Sequence, residues 1–283
     1  MPQHKEQQGF MTFAQNTDTV DYLELAYVQA LNIKATQTEN KYAVVVDVAT
    51  RKKVNERHYR VFDYVIDLPM DHNEPTSTRK FANEWQAFRL TPFKETIKLE
   101  SDLLFTRSID HWWTAFRLKN VCLSTGCKNY LGLNSTIRKY RELFDANRLP
   151  DVYNGLMYFR FSQEAKQFFD AAQYIQMNWQ HVRAGLKQCI EDRPSTDVLY
   201  ALAAVMIGEE TVTMPSMDFL NFVHLKPAIN GVEETVPVTD QLVTEFDRGM
   251  IRINNLNQLQ PVHYYEKDFV TAEMREWYES RNS

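Results

Sequence analysis

Apolar positions in the N-terminal half of this chain come in short blocks, separated by polar, turn-forming clusters. The blocks alternate between the two periods that mark strands and helices. Residues 1 to 8 are polar and expected to be frayed. Phe10 to Ala14 alternates weakly and predicts a first strand, broken at QNTDT, a cluster of turn and cap formers. Leu23, Tyr27, Ala30 and Leu31 then recur at helical spacing, with Asp18 or Thr19 as the expected N-cap. KYAVVVD, Lys41 to Asp47, has the β-branched density of a strand buried in a parallel sheet. A basic helix or loop running to Arg60 follows, then a strand over Val61 to Leu68 closed by Pro69.

A polar loop from Asp71 to Thr78 leads into a predicted helix over Arg79 to Leu90, and a strand follows within KETIKLESDLLF, residues 94 to 105. Residues 119 to 150 read as an irregular excursion punctuated by Gly126, Gly132 and Pro150. Val152 to Phe161 predicts a strand containing one glycine. Ser162 to Trp179 predicts an amphipathic helix capped by Ser162, with Ala165, Phe168, Phe169, Ala172 and Ile175 on one face. Another helix is expected over Asp197 to Ile207, and short strands at MIRINNL and QPVHYY. Alternating strands and helices in the first half predict an α/β fold around a mostly parallel sheet flanked by helices, with a more irregular C-terminal part.

Composition refines this picture only a little. The chain has 283 residues, 44% hydrophobic and 24% charged, as in ordinary globular proteins with a sizeable core. No apolar run approaches the ~20 residues of a membrane span, and MPQHKEQQGFMTF lacks a signal-peptide core. Cys122, Cys127 and Cys189 are too few and too scattered for a disulfide framework or a zinc site, so they are read as free thiols. A cytoplasmic location is the expectation.

The net charge of −5 argues against a uniformly basic nucleic-acid coat but hides a local asymmetry. Between residues 117 and 148, Arg117, Lys119, Lys128, Arg138, Lys139, Arg141 and Arg148 are opposed only by Glu142 and Asp145. Such a stretch is either ordinary solvated surface or a polyanion-binding patch.

Candidate chemistry gathers where predicted strands end. In open α/β sheets ligands bind outside the carboxyl ends of strands, and Asn16, Asp47 and the pair Glu100/Asp102 fall at such ends. Two carboxylates after an apolar strand are costly to bury without a cation or donors to meet them. They sit either in an ordinary turn or at a site. In an extended chain Glu100 and Asp102 would point the same way, and two hard oxygen ligands suit Mg²⁺ or Mn²⁺. His263 is either a hydrogen-bonded core histidine or a nitrogen ligand compatible with Mn²⁺. Asp197 is either a charge at a helix N-terminus or a partner for a substrate hydroxyl. The Gly-rich phosphate loops and the nucleophile elbow are missing from the sequence.

Four segments, in order, resemble family 8 glycosyltransferases of the GT-A fold, the group that contains glycogenin and bacterial galactosyltransferases. Thr12-Phe13-Ala14-Gln15-Asn16 is similar to the family's first strand and turn, residues 90 to 110 to its D-x-D strand, residues 152 to 162 to its asparagine-glycine strand, and PVHYYEKDF, residues 261 to 269, to its late histidine-lysine segment. The resemblance implies one GT-A domain over residues 9 to 283 that transfers a sugar from a UDP-sugar to a hydroxyl with retention of configuration. It implies Glu100, Asp102 and His263 as ligands of Mn²⁺ or Mg²⁺, and Lys267 on the diphosphate. Gln15 and Asn16 would lie at the nucleoside, Asn154 and Gly155 at the sugar, and Asp197 beneath the reacting carbon.

The chain departs from the family pattern at Glu100, where the family has Asp, at Glu266, where Gly is frequent, and at Val198, where an amide is expected. Lys80 is the candidate for the family's basic residue before the metal strand. A weaker resemblance to phage-encoded enzymes that glycosylate hydroxymethylcytosine implies a DNA acceptor. It would be held by Arg138 and Lys139 in the basic stretch, with Trp112, Trp113, Tyr130 and Tyr140 available for stacking unless they belong to the core. Other acceptors (saccharide, lipid-linked sugar or protein) and a non-catalytic nucleotide-sugar or nucleic-acid binder are the alternatives.

Overall fold

The β-branched block within residues 41 to 47 forms a wholly buried strand one place in from the edge of the main sheet. In the computed structural model, which describes residues 6–74, 77, 80, 82–214 and 220–282, strand β1 spans Glu6–Ala14 and β2 spans Tyr42–Val46, with every β2 residue buried. β3 (Tyr64–Asp67) and β4 (Phe93–Leu99) follow. β1 to β4 are mutually parallel, with Thr12 of β1 facing Val44 on one side and Leu99 on the other. β5 (Leu103–Leu104) leaves this sheet, and β6 (Val121–Thr125) and β7 (Val152–Arg160) complete it. The strand order is β3-β2-β1-β4-β7-β6, and β7 runs antiparallel to both of its neighbours.

A sheet of this kind needs both faces covered. Phe10, Ala14, Val44 and Val46 face a core shared with the helix Tyr22–Thr36 and the C-terminal helix Ala272–Arg281. The alternate positions Met11, Phe13, Ala43 and Val45 face the helices Gln163–Met177 and Thr196–Ile207. The remaining strands β8 (Val223–His224), β9 (Thr244–Asp247), β10 (Met250–Ile253), β11 (Leu256–Asn257) and β12 (Val262–His263) build two small sheets, ordered β11-β10-β9 and β5-β12-β8. None of the described helices is long and apolar enough to cross a membrane, and all three cysteines are free.

Several local expectations are corrected. β1 begins at Glu6, so Glu6 to Gln8, expected to be frayed, pair with β4. The first helix is capped by Asp21, whose carboxylate accepts from the Glu24 amide, because Thr17 to Val20 form a tight turn first. Val61 closes the helix Glu56–Val61 and is not part of β3. Of the helix expected over Arg79 to Leu90, a 3-10 turn at Glu84–Gln86 and a helix at Ala87–Leu90 are present, and Arg79 lies outside the described residues. The "irregular" stretch hides β6 and the helix Glu142–Asn147.

Candidate active site

The acids do not sit in extended chain. β4 ends at Leu99, and Glu100, Ser101 and Asp102 form a turn before β5. A buried turn leaves backbone groups that need partners, and neighbouring elements provide them. Thr12 Oγ1 donates to the Leu99 carbonyl at 2.9 Å, and the Glu100 amide donates to Gly155 O at 3.1 Å. From the first helix, the wholly buried Gln29 donates to the carbonyls of Glu100 (2.6 Å) and Leu103 (2.7 Å), while Tyr42 Oη donates back to its Oε1 at 2.8 Å. Asn32 makes a two-way pair with the Phe105 backbone, both bonds at 2.8 Å. Two amides that look out of place on an apolar helix therefore brace the acid turn.

β12 brings the histidine to the acids from the far end of the chain. His263 pairs with Leu103 of β5, and the Tyr264 amide donates to Asp102 O at 3.0 Å. His263 Nε2 then lies 3.0 Å from both Glu100 Oε2 and Asp102 Oδ1, and Lys267 Nζ is bonded to Asp102 Oδ2. Burial opposes a charge on His263, but Asp102 and Glu100 more than offset it and raise the imidazole to about 10. Burial alone would raise the Asp102 carboxyl; His263 and Lys267 hold it well below the usual range instead. The His224 ring stacks on His263 at 4.5 Å, and burial with the neighbouring His263 charge depresses it. Among the described residues, Glu100, Asp102 and His263 are the one group of ligating side chains whose atoms lie mutually within 4.8 Å.

Beside this cluster, Asn154 of β7 is a junction. Its amide N–H donates to Asp197 Oδ1 at 2.7 Å, and its side chain reaches Glu84, Glu100 and Lys98. Asp197 stands in the first turn of the Thr196–Ile207 helix, whose N-cap is Ser195, and also pairs with Arg141 at 3.1 Å. Burial lifts its carboxyl above the usual range despite Arg141. Gly155 serves packing: a Cβ there would come within 2.8 Å of Phe222 Cζ and 3.3 Å of His263 Nδ1.

The acid cluster faces a cavity of about 480 Å³ whose lining includes Glu84, Glu100, Asp102, His263 and Lys267 together with Phe13, Gln15, Tyr22 and Lys80; Asn154, Gly155 and Asp197 do not line it. Gln15 is held by Asn83, which donates to its Oε1 at 2.9 Å, and Lys80 pairs with Asp47 at 2.8 Å. Asn16 does not line the cavity. Its side chain is spent on Asp21 (2.8 Å) and on the Leu23 amide (2.9 Å), fixing the entry to the first helix. Glu84, Lys98, His224 and Lys226 escaped the sequence reading. The sequence around Lys98 gave little signal, because β4 also carries Lys94, Glu95 and Thr96.

The basic stretch resolves differently. Arg138 pairs with Asp145 (2.5 Å) and Asp151 (3.0 Å), Lys139 with Glu234 (2.7 Å), and Arg117 with Glu95 (2.9 Å). Arg141 is buried against the Tyr153 ring, 3.6 Å from its centroid, and donates to Val152 O. Trp112 and Trp113 are core residues, because the short helix Trp112–Phe116 packs against Phe10 and Tyr158. Tyr140 bonds Tyr153 at 3.0 Å. The local charge excess along the sequence is thus largely offset by acids from elsewhere in the fold.

The mostly parallel six-stranded sheet flanked by helices has the GT-A architecture. The chain is similar to the galactosyltransferase LgtC in complex with donor and acceptor sugar analogs, with a TM-score of 0.55 and 12% identity over 97% of this chain and 95% of that one. An active-site mutant of LgtC gives 0.53 and 13% identity over 96% and 94%. The glycosyltransferase GlyE of Streptococcus pneumoniae TIGR4 gives 0.51 and 8% identity over 98% of this chain but only 60% of that longer one. No protein-family model matches the sequence, and no curated protein does.

Proposed function

We propose that this protein is a divalent-metal-dependent glycosyltransferase that moves a sugar from a UDP-sugar to a hydroxyl acceptor with retention of configuration. The observation that carries this reading is the convergence of Glu100, Asp102 and His263 in the cavity wall at the end of β4. Two carboxylates and one imidazole face a common point; His263 and Lys267 balance the acids in this structure, and with the imidazole neutral a divalent ion would take over that role. The donor set suits Mn²⁺ or Mg²⁺, the nitrogen favouring Mn²⁺. When bound, such an ion would offset charge growing on the departing diphosphate.

The chain's own groups have the following roles in this reading. Lys267 exchanges Asp102 for a phosphate oxygen, Gln15 meets the nucleoside, and Asn154 orients the sugar. Asp197, tethered by the Asn154 amide and Arg141, faces the reacting carbon as nucleophile or as the anion that stabilises a cationic sugar. For the acceptor, hydroxymethylcytosine in DNA would require Arg138 and Lys139 to leave Asp145, Asp151 and Glu234, and stacking on the tryptophans would require them to leave the core. A saccharide hydroxyl requires neither, and we favour it.

The test is UDP release from a panel of UDP-sugars with Mn²⁺, with Mg²⁺ and with EDTA, followed by mass spectrometry of added oligosaccharides and hydroxymethylated DNA. Metal-dependent release is the expected result. A protein that binds a UDP-sugar yet releases no UDP under any condition would be a binder, and the transferase reading would fall. A sugar-shifted nucleoside would restore the DNA acceptor.

A further inference from the structure

Lys98 sits in β4 between Met11 of β1 and Met157 of β7, with no exposed surface at all. Its Nζ donates to Glu84 Oε2 at 2.5 Å and to Asn154 Oδ1 at 2.8 Å. Asn154 Nδ2 donates to Glu84 Oε2 at 2.6 Å and to Glu100 Oε1 at 3.0 Å. Glu84 itself is anchored through its carbonyl, which accepts from Tyr200 Oη at 3.0 Å. A buried ion pair is a weak way to hold a wall together, since desolvation offsets most of the attraction and apolar substitutes are frequently as stable or more so. Its neighbours on β1 and β7, both methionines, would accept such a substitute.

The hydrogen-bond inventory shows what the pair does accomplish. A lysine only donates, and an ionised glutamate only accepts. With Lys98 on one side and Glu84 on the other, the Asn154 carboxamide has one allowed orientation: oxygen toward Lys98, nitrogen toward Glu84 and Glu100. Turned over, its oxygen would face two carboxylates. The orientation in turn holds Glu100 Oε1 and leaves Oε2 toward His263, 3.0 Å away.

We propose that Lys98 and Glu84 are positioning residues that lock Asn154 and thereby aim the Glu100 carboxylate at the metal position. The proposal rests on the metal reading of Glu100, Asp102 and His263 and adds to it a buried device behind the ligands. Supporting groups of this type contribute roughly ten- to a hundredfold to metal affinity.

The experiment compares wild type, Lys98→Met, and the doubly neutral Lys98→Met/Glu84→Gln. Mn²⁺ binding is measured by calorimetry in the absence of any sugar nucleotide, and thermal unfolding is measured without metal. Lys98→Met strands Glu84 without its cation and is not decisive by itself; the double variant, which buries no unpaired charge, decides the matter. The expected result is an unfolding midpoint at or above wild type together with Mn²⁺ affinity weakened about ten- to a hundredfold. A double variant that binds Mn²⁺ as tightly as wild type overturns the proposal. So does one whose midpoint falls well below wild type, because the pair would then be structural. Wild type that takes up no Mn²⁺ removes the metal reading itself, which separates the two failures.

Discussion

At the Glu100–Asp102 turn, charged groups from distant parts of the sequence meet at one cavity; across residues 117 to 148, charged groups adjacent in sequence are drawn off to partners elsewhere. His263 and Lys267 reach the turn from the other end of the chain through the pairing of β5 with β12. Arg138, Lys139 and Arg141, by contrast, turn to Asp145, Asp151, Glu234 and Asp197. Density of charge along a sequence says little about the field the fold presents. What matters is whether each charge leaves the chain's own pairing satisfied or still facing open space. The turn keeps its acids on the cavity wall, and the basic stretch spends Arg117, Arg138 and Lys139 on ion pairs with exposed flanks and buries Arg141.

The sharpest way to break this comparison is Asp102→Ala. If the turn holds the ion, the variant loses several kcal/mol of transition-state stabilisation, roughly a thousandfold or more in metal-dependent turnover. The fold should persist, because the backbone of the turn is held by Gln29, Asn32 and Thr12 and not by the carboxylate. Steady-state UDP release with circular dichroism on the same sample checks both halves. Unchanged turnover would make the acid turn an ordinary loop.

Arg141→Met probes the other region at its one deeply buried cation. Removing the guanidinium takes the cation from the partly buried Asp197, leaves Asp151 with Arg138 alone, and empties the space beside Tyr153 and Phe144. A loss of about 3–5 kcal/mol is expected for breaking a buried pair from one side, read as a lower urea midpoint with an unchanged slope. Turnover should fall as well, since Asp197 loses a tether. A variant as stable as wild type would mean that Arg141 is not the joint the geometry makes it.

The contrast also explains what could be read before the fold was known. Strand identity was legible where β-branched residues are continuous, as in β2, and the chemical types of Glu100, Asp102 and His263 were legible as an acid-x-acid turn and a histidine near a lysine. Their meeting was implied only by the family resemblance and not by the residues' own pattern, because it depends on a two-residue pairing between β5 and β12. Lys98 was not legible, since β4 also carries Lys94, Glu95 and Thr96, and its partner Glu84 belongs to a 3-10 turn preceding the strand and meets it only after the sheet forms. Asn16 is ambiguous for a related reason: at a strand end, an amide that fixes the next helix, as its bonds to Asp21 and the Leu23 amide do, and one that meets a ligand look alike in sequence. The edge strand β6 was lost because a glycine-punctuated, charged surrounding masked a short apolar run, Val121 to Leu123.

The smallest effect is expected from reversing the exposed cations, Arg138→Glu with Lys139→Glu. Their partners Asp145 and Glu234 are themselves solvent-exposed, and exposed pairs are screened by water and salt, so the unfolding midpoint should scarcely move. Nucleic-acid binding is the informative readout. A protein that neutralises phosphates with these side chains would lose affinity for duplex DNA and flatten its salt dependence by roughly one unit of slope per contact removed. Because both cations are already engaged, neither change is expected, and titrations of labelled duplex at two salt concentrations should superpose for wild type and variant. If they separate, Arg138 and Lys139 exchange their internal partners for phosphates on encounter, and the two regions would differ only in when their charges find an external ligand.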